Sequence, residues 1–187
     1  MNAMTNIRKF GASAAIVAVM TFGVVSVAGA ASVAPHAATS HTTKVISFTG
    51  NYSGTISLLI NGSKITAKSV HGTGTATWLG KSTMTGSGAS SATSQCDPMS
   101  GAGSLVGSGS KLAVTIQAKS KGCAAGTSTP TKVTVTGTVK VTSASSGKFK
   151  GATGTLSYSG SFTLPSSSGS STDKFTAKIT GKLTVKS

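Results

Sequence analysis

Polar and apolar residues alternate along the chain from about residue 44 onward, with the period of two that is typical of β-strands burying one face. In KFTAKITGKLTVK, at 174–186, Phe175, Ile179 and Leu183 lie on one face and lysines recur on the other. Such runs predict about eight or nine strands and no helix after the first 30 residues. The predicted strands are 44–49, 52–60, 63–70, 73–85, 101–108, 111–119, 131–142, 153–164 and 174–186.

Glycines indicate how these strands are arranged. Asn61-Gly62 separates two alternating runs, which predicts a tight hairpin. A glycine on an apolar face lets a strand coil sharply, as a closed sheet requires. Glycines of this kind are Gly54, Gly137, Gly154, Gly160 and Gly181. We therefore predict an all-β fold, an antiparallel closed barrel of about eight strands. The apolar parity changes near His71, which predicts a β-bulge there.

The first 30 residues have the composition of a secretory signal peptide. Arg8 and Lys9 precede an apolar stretch at 12–27, and Ala-Gly-Ala ends at Ala30. Signal peptidase accepts small residues at such positions, so we expect cleavage after Ala30 and secretion, with cell-wall association through charge as an option. The alternative is an uncleaved membrane anchor, because the stretch approaches the roughly 20 residues that span a bilayer.

The exported part is expected to hold one domain and to be strongly basic. Residues 31–43 lack period and bulk and are interpreted as a flexible linker, and residues 44–187 as a single β-barrel domain. Every cationic side chain after the signal peptide is a lysine, and Asp97 and Asp173 are the only acidic side chains. This balance favours contact with anionic polymers or membranes and opposes self-association.

Four lysines of the last strand are candidate contacts for such polyanions: Lys174, Lys178, Lys182 and Lys186. They recur every fourth residue, roughly 13 Å apart along a strand. Salt screens charges beyond about 8 Å, so each lysine acts nearly alone and contact with anionic polymers is weak and diffuse. Arginine is absent from the exported part, and few aromatic residues are available for stacking, so no specific nucleic acid partner is expected. No membrane span is expected once the signal peptide is removed.

Cys96 and Cys123 are the two cysteines of the chain, and both follow the signal peptide. In an oxidising compartment an even count predicts one disulfide. The alternatives are free thiols or a metal site, but two thiolates without nearby His or carboxylate are too few for a closed zinc shell. We expect no metal and no cofactor.

Two glycine-rich segments carry a family resemblance. HGTGTATWLGKSTMTG at 71–86 and GKFKGATGTLSYSGSF at 147–162 resemble exported bacterial proteins of the allene oxide cyclase and dirigent-like barrel group. The resemblance covers roughly half of the exported chain. It implies a calycin-like barrel of eight strands with an apolar cavity, in which plant members of the group handle small hydrophobic molecules. Those activities are associated with acidic or polar groups in the cavity, and this chain contains no Glu.

The sequence contains no convincing catalytic set, so we predict no catalytic residues and favour a non-enzymatic protein. Asp97 and Asp173 fall at loop edges without the apolar surroundings that raise a carboxyl pKa. His71 and the many serines lack the Gly-x-Ser-x-Gly elbow of hydrolases. Thr73, Thr75 and Thr77 form a Thr-x-Thr row that raises ice binding as a remote option, although a twisted barrel offers no flat array.

Four side chains are candidates for lining a cavity: Tyr52, His71, Trp78 and Tyr158. The aromatic residues would provide apolar walls with polar tips, or would simply fill the core of a barrel of about eight strands.

Three functions follow as expectations. The first is a secreted barrel that binds a small apolar ligand or has a structural role in the envelope. The second is a cationic protein attached to anionic wall polymer or membrane, and the third is an isomerase or cyclase-type barrel enzyme.

Overall fold

A computed structural model describes residues 42–186. The predicted signal peptide and the linker up to residue 41 lie outside the described residues, and Thr43, the last residue assigned to the linker, already belongs to the first strand. No helix among the described residues is long and apolar enough to cross a membrane. The elements are β1 Thr43–Asn61, β2 Lys64–Ala76, β3 Gly80–Ser91, β4 Cys96–Gly107, β5 Ser110–Ile116, β6 Lys121–Ala124, β7 Thr131–Val141, a 3-10 turn Gly147–Phe149, β8 Thr155–Leu164 and β9 Gly169–Lys186.

Eight of the strands form a closed ring, because each pairs antiparallel with its neighbour and the last pairs with the first. The order around the ring is β1, β2, β3, β4, β5, β7, β8 and β9. The closing β1–β9 ladder runs from Thr43 opposite Lys186 to Ile60 opposite Gly169. The short β6 lies between β4 and β7 beyond the end of β5. The predicted all-β, antiparallel closed barrel is thereby confirmed.

Several predicted strand boundaries were wrong. The ranges 44–49 and 52–60 are one continuous strand, β1. The range 73–85 is interrupted by the turn Thr77–Leu79 between β2 and β3. The serine-rich stretch 86–101, interpreted as a loop, belongs largely to β3 and β4, and β6 was not predicted. Serine and glycine do not favour strands by themselves, and here pairing with neighbouring strands decides the outcome.

The predicted β-bulge exists but lies before His71. Ser57 pairs with Ser69 and Leu58 pairs with Ala67, so Lys68 is the extra residue of β2. A single inserted residue reverses which side chains face the core. The inward set therefore passes from Ile65 and Ala67 to Val70, and His71 is left on the outer face.

The apolar side chains point into the ring and form two core clusters. The larger one surrounds Phe149, which is fully buried and meets Phe48 edge-on with ring centroids 6.1 Å apart. Phe149 plugs the end of the ring that carries the β2–β3 turn, the β4–β5 turn and residues 142–154, which we call the closed end. The second cluster lies toward the opposite end and consists of Ile56, Leu58, Ile60, Val133, Leu164 and Phe175.

Candidate functional site

An apolar cavity of about 170 Å³ lies inside the ring. Its walls come from both core clusters, since Ile179 and Val139 belong to the first and Ile56 and Phe175 to the second. Met84 packs against both clusters and also lines the cavity. The cavity therefore occupies the gap between the clusters, at mid-height in the barrel.

Three glycines on β3 and β4 line part of this space: Gly86, Gly88 and Gly103. Gly86 pairs with Gly103, and Gly88 pairs with Gly101, two and four residues beyond the pair formed by Met84 and Leu105. Because side chains alternate along a strand, these glycines share the inward face of Met84 and Leu105, where larger residues would fill the interior. A Cβ atom added at Gly88 would lie 2.6 Å from the Ser100 carbonyl oxygen, so the wall cannot thicken without moving backbone.

Tyr158 is the one titratable side chain that lines the cavity within residues 42–186. It was a candidate cavity-lining residue, and the structure places it there. Its hydroxyl donates a hydrogen bond to the sulfur atom of Met99 at 3.1 Å, and burial raises the pKa of the phenol. The Tyr158 ring therefore forms part of the apolar wall of the cavity, while its hydroxyl is already hydrogen-bonded to Met99.

Tyr52 is a core residue instead of a cavity residue. It is buried in the larger cluster, and its hydroxyl shares a hydrogen bond with the Ser82 hydroxyl at 2.9 Å. Burial raises the pKa of Tyr52, and the bond to Ser82 opposes that shift. Tyr52 thus fills the barrel, which is the alternative expected for these aromatic residues.

The assignments of Trp78 and His71 to the cavity were wrong. Trp78 lies in the β2–β3 turn with 43% of its surface exposed, and the turn makes Leu79 the inward residue. His71 is exposed on the outer face, paired with Thr55 and Thr85, because the bulge at Lys68 shifts the parity of β2. Neither residue lines the cavity.

The disulfide predicted between Cys96 and Cys123 is confirmed and joins β4 to β6. Next to it, the Asp97 carboxylate accepts hydrogen bonds from the backbone amides of Thr93 and Ser94 and from three hydroxyls. The Ser94 amide is the main cause that lowers the pKa of Asp97 to about 2. Asp97 therefore holds the β3–β4 connection in place, and its carboxylate is ionised at neutral pH.

The remaining candidate residues lie away from the cavity. Asp173 accepts a hydrogen bond from the Thr163 amide at 2.7 Å. The four lysines of β9 are all exposed. Lys178 borders an outer cleft lined largely by serine and threonine, and Lys132 of β7 lies in the same cleft. The structure thus adds a lysine from another strand near one member of the predicted row.

Sequence reasoning missed the glycine wall and the two methionines beside it. The signal was present as two Gly-x-Gly steps, one at Gly86 in a stretch interpreted as a loop and one at Gly101 at the start of the predicted strand 101–108. A period of two in glycine is a strand pattern when neighbouring strands supply the bulk. Comparison of the chain with family models, curated proteins and solved structures found no match.

Proposed function

We propose that the protein binds a small apolar molecule inside its barrel. The observation that carries this proposal is the apolar cavity of about 170 Å³ between the two core clusters. Cavities of this character stay dry, since water would find few hydrogen-bond partners, and they are therefore available to apolar ligands.

The volume limits the ligand to a small size. An apolar cavity of about 150 Å³ accommodates benzene, whereas pockets for drug-sized ligands begin at about 300 Å³. A molecule of about one ring with short alkyl substituents suits the space, because the cavity wall offers almost no polar surface to a ligand. His71, Asp97 and Asp173 lie elsewhere, so the cavity lining within residues 42–186 offers no acid–base pair for catalysis.

We also propose kinship with the allene oxide cyclase and dirigent-like barrels, and export from the cell. The eight-stranded ring and the two glycine-rich segments support the kinship. The signal-peptide composition and the Cys96–Cys123 disulfide support an oxidising, extracellular location.

Thermal unfolding in the presence of p-xylene tests the binding proposal. A ligand at about 100 times its Kd stabilises the native state by about 2.7 kcal/mol, which raises the Tm by several degrees. Val135→Phe should fill the cavity and remove the shift, whereas Val106→Phe, the same change on the outer face, should preserve it. Ala177→Leu is a second filling variant if Val135→Phe unfolds. A parent protein whose Tm ignores p-xylene and larger alkylbenzenes would contradict the proposal.

A further inference from the structure

Trp78 has an exposed side chain on a backbone that disfavours it. Its φ is 72°, in the left-handed region where glycine is preferred and a bulky residue is an outlier. The turn is nevertheless firmly held, because Thr77 bonds the Thr49 backbone and Leu79 is completely buried. The fold thus holds an indole at a surface position where the backbone conformation favours glycine. Such backbone outliers are a reason to look for a function.

The closed end around Trp78 is uniformly basic. Both acidic side chains belong to the opposite half of the barrel, with Asp97 at the start of β4 and Asp173 opposite Ile56 near the far end of β1. Eight lysines belong to the closed half by their strand positions: Lys44, Lys81, Lys111, Lys140, Lys148, Lys150, Lys182 and Lys186.

One contact and three strand or turn positions bring Trp78 and four of these lysines to the same end of the ring. The Lys44 Nζ atom lies 5.8 Å from the centre of the Trp78 ring, a cation–π distance. Thr43, next to Lys44, pairs with Lys186, and a Cβ built at Gly151 would lie 3.2 Å from the Lys186 Cδ atom. Lys148 and Lys150 are exposed on either side of the buried plug residue Phe149. We call Trp78, Lys44, Lys148, Lys150 and Lys186 the closed-end patch.

We propose that the closed-end patch docks the protein on an anionic lipid bilayer. Lysines near such a surface each contribute attraction, and a tryptophan places its apolar ring and its N–H group at the level of the lipid headgroups. An anionic polymer in water would need only the charges and would give an exposed indole no apolar medium to enter. The barrel would stand on the membrane by its closed end, which leaves the opposite end directed toward solvent.

Fluorescence provides a direct test, because Trp78 is the single tryptophan of the chain. The protein without its first 30 residues is titrated with two kinds of phosphatidylcholine vesicle. One kind contains about 30% phosphatidylglycerol, an anionic lipid, and the other contains none. We expect a blue shift of the emission and quenching by brominated acyl chains with the anionic vesicles only. An unchanged emission maximum on anionic vesicles that bind the protein would overturn the proposal.

Trp78→Gly separates docking from a structural role. Glycine suits a φ of 72°, so this variant should unfold at the parent temperature or above while its affinity for anionic vesicles, measured by co-sedimentation, falls about tenfold. A variant that loses stability and keeps its affinity would show that the indole serves the fold and would refute the proposal.

Two lysine variants remove equal charge from opposite ends. Lys148→Gln, Lys150→Gln and Lys186→Gln together should weaken vesicle binding about a hundredfold, since one lysine near an anionic surface is worth about fivefold. Lys64→Gln, Lys68→Gln and Lys132→Gln together should leave most of the affinity. Equal losses of vesicle affinity in the two variants would mean that the lysines attract lipid without a preferred end, and would overturn docking by the closed-end patch. Tight binding to teichoic acid without a blue shift, together with weak binding to vesicles, would assign the patch to a wall polymer and overturn lipid docking.

Discussion

Asp97 shows how one carboxylate can organise a connection in a chain with few acidic residues. Five hydrogen bonds from Ser91, Thr93 and Ser94 converge on its two oxygens, and the disulfide formed by Cys96 lies beside it. Donors directed at both oxygens favour the ionised form. The β3–β4 connection therefore depends on the charge of Asp97, and that charge depends on pH.

Acid should weaken the fold through Asp97. Its pKa is lowered from 3.8 to about 2, so the stabilisation is fully present above about pH 4 and is lost as the pH falls through about 2. Asp97→Asn should be less stable than the parent at pH 5, and this difference should shrink toward pH 2. Urea unfolding of both proteins between pH 2 and 6 measures the effect. A difference that is constant across this range would contradict the assigned role of the charge.

At the scale of the strands, close approach at one glycine position limits which residue can stand there. Gly137 of β7 faces Ser120, whose hydroxyl donates to the Thr138 carbonyl and accepts from the Thr138 amide. A Cβ at Gly137 would collide with the Ser120 side chain. At Gly122, on neighbouring β6, the added Cβ would make ordinary contacts of 3.8 and 3.9 Å with Val135 and Val133.

The same substitution should therefore have opposite effects on adjacent strands. Gly137→Ala should lower the free energy of unfolding by about 1–3 kcal/mol, because it overpacks the Ser120 contact and breaks its hydrogen bonds. Gly122→Ala should raise it by about 0.4–1 kcal/mol, because alanine reduces the freedom of the unfolded chain without a clash. Chemical denaturation of the two variants compares them directly. Equal destabilisation would show that strand glycines act here through flexibility alone.

The strands differ in how well the sequence predicted them, and the reason is physical. β7 alternates valine with threonine and lysine, so its range and its inward face were readable from residues alone. In β3 and β4, glycine, serine and alanine occupy both the inward and the outward positions, so the sequence shows little alternation. Pairing with neighbouring strands makes these segments β-strands. The cavity lies against this pair. Its glycine wall was missed because alternating glycines carry no apolar side chains that distinguish a strand from a loop, whereas Tyr158 on the opposite wall was a candidate. The place of Trp78 depended on a turn that no Gly-Asn signal marks.

At the scale of the whole molecule, lysines far outnumber the carboxylates that could neutralise them. Within residues 42–186 the two carboxylates bond hydroxyls and amides instead of lysines. The sequence carries a formal net charge of +15, from 17 lysine and arginine residues against two acidic residues. Such a balance keeps the protein soluble and also destabilises the compact state by self-repulsion.

Salt should consequently stabilise the protein. Raising sodium chloride from 10 to about 500 mM shortens the screening length several-fold, which weakens repulsion among the lysines. We expect the Tm to rise by a few degrees, and to rise less in the variant with Lys148, Lys150 and Lys186 replaced by glutamine. Differential scanning calorimetry at several salt concentrations measures both. A Tm that falls with salt would indicate that attractive charge pairs outweigh the repulsion.

The pairing of Thr43 with Lys186 means that any strand of the ring could serve as the first one in the chain. Around the ring the strands follow chain order, with β6 as a side branch, and β9 lies beside β1 along nearly its whole length. A short turn could therefore link residue 186 to residue 43 in the same way that Asn61 to Lys64 links β1 to β2. The chain could then be cut at another hairpin and keep every ladder, so we expect a circular permutant to form the same barrel.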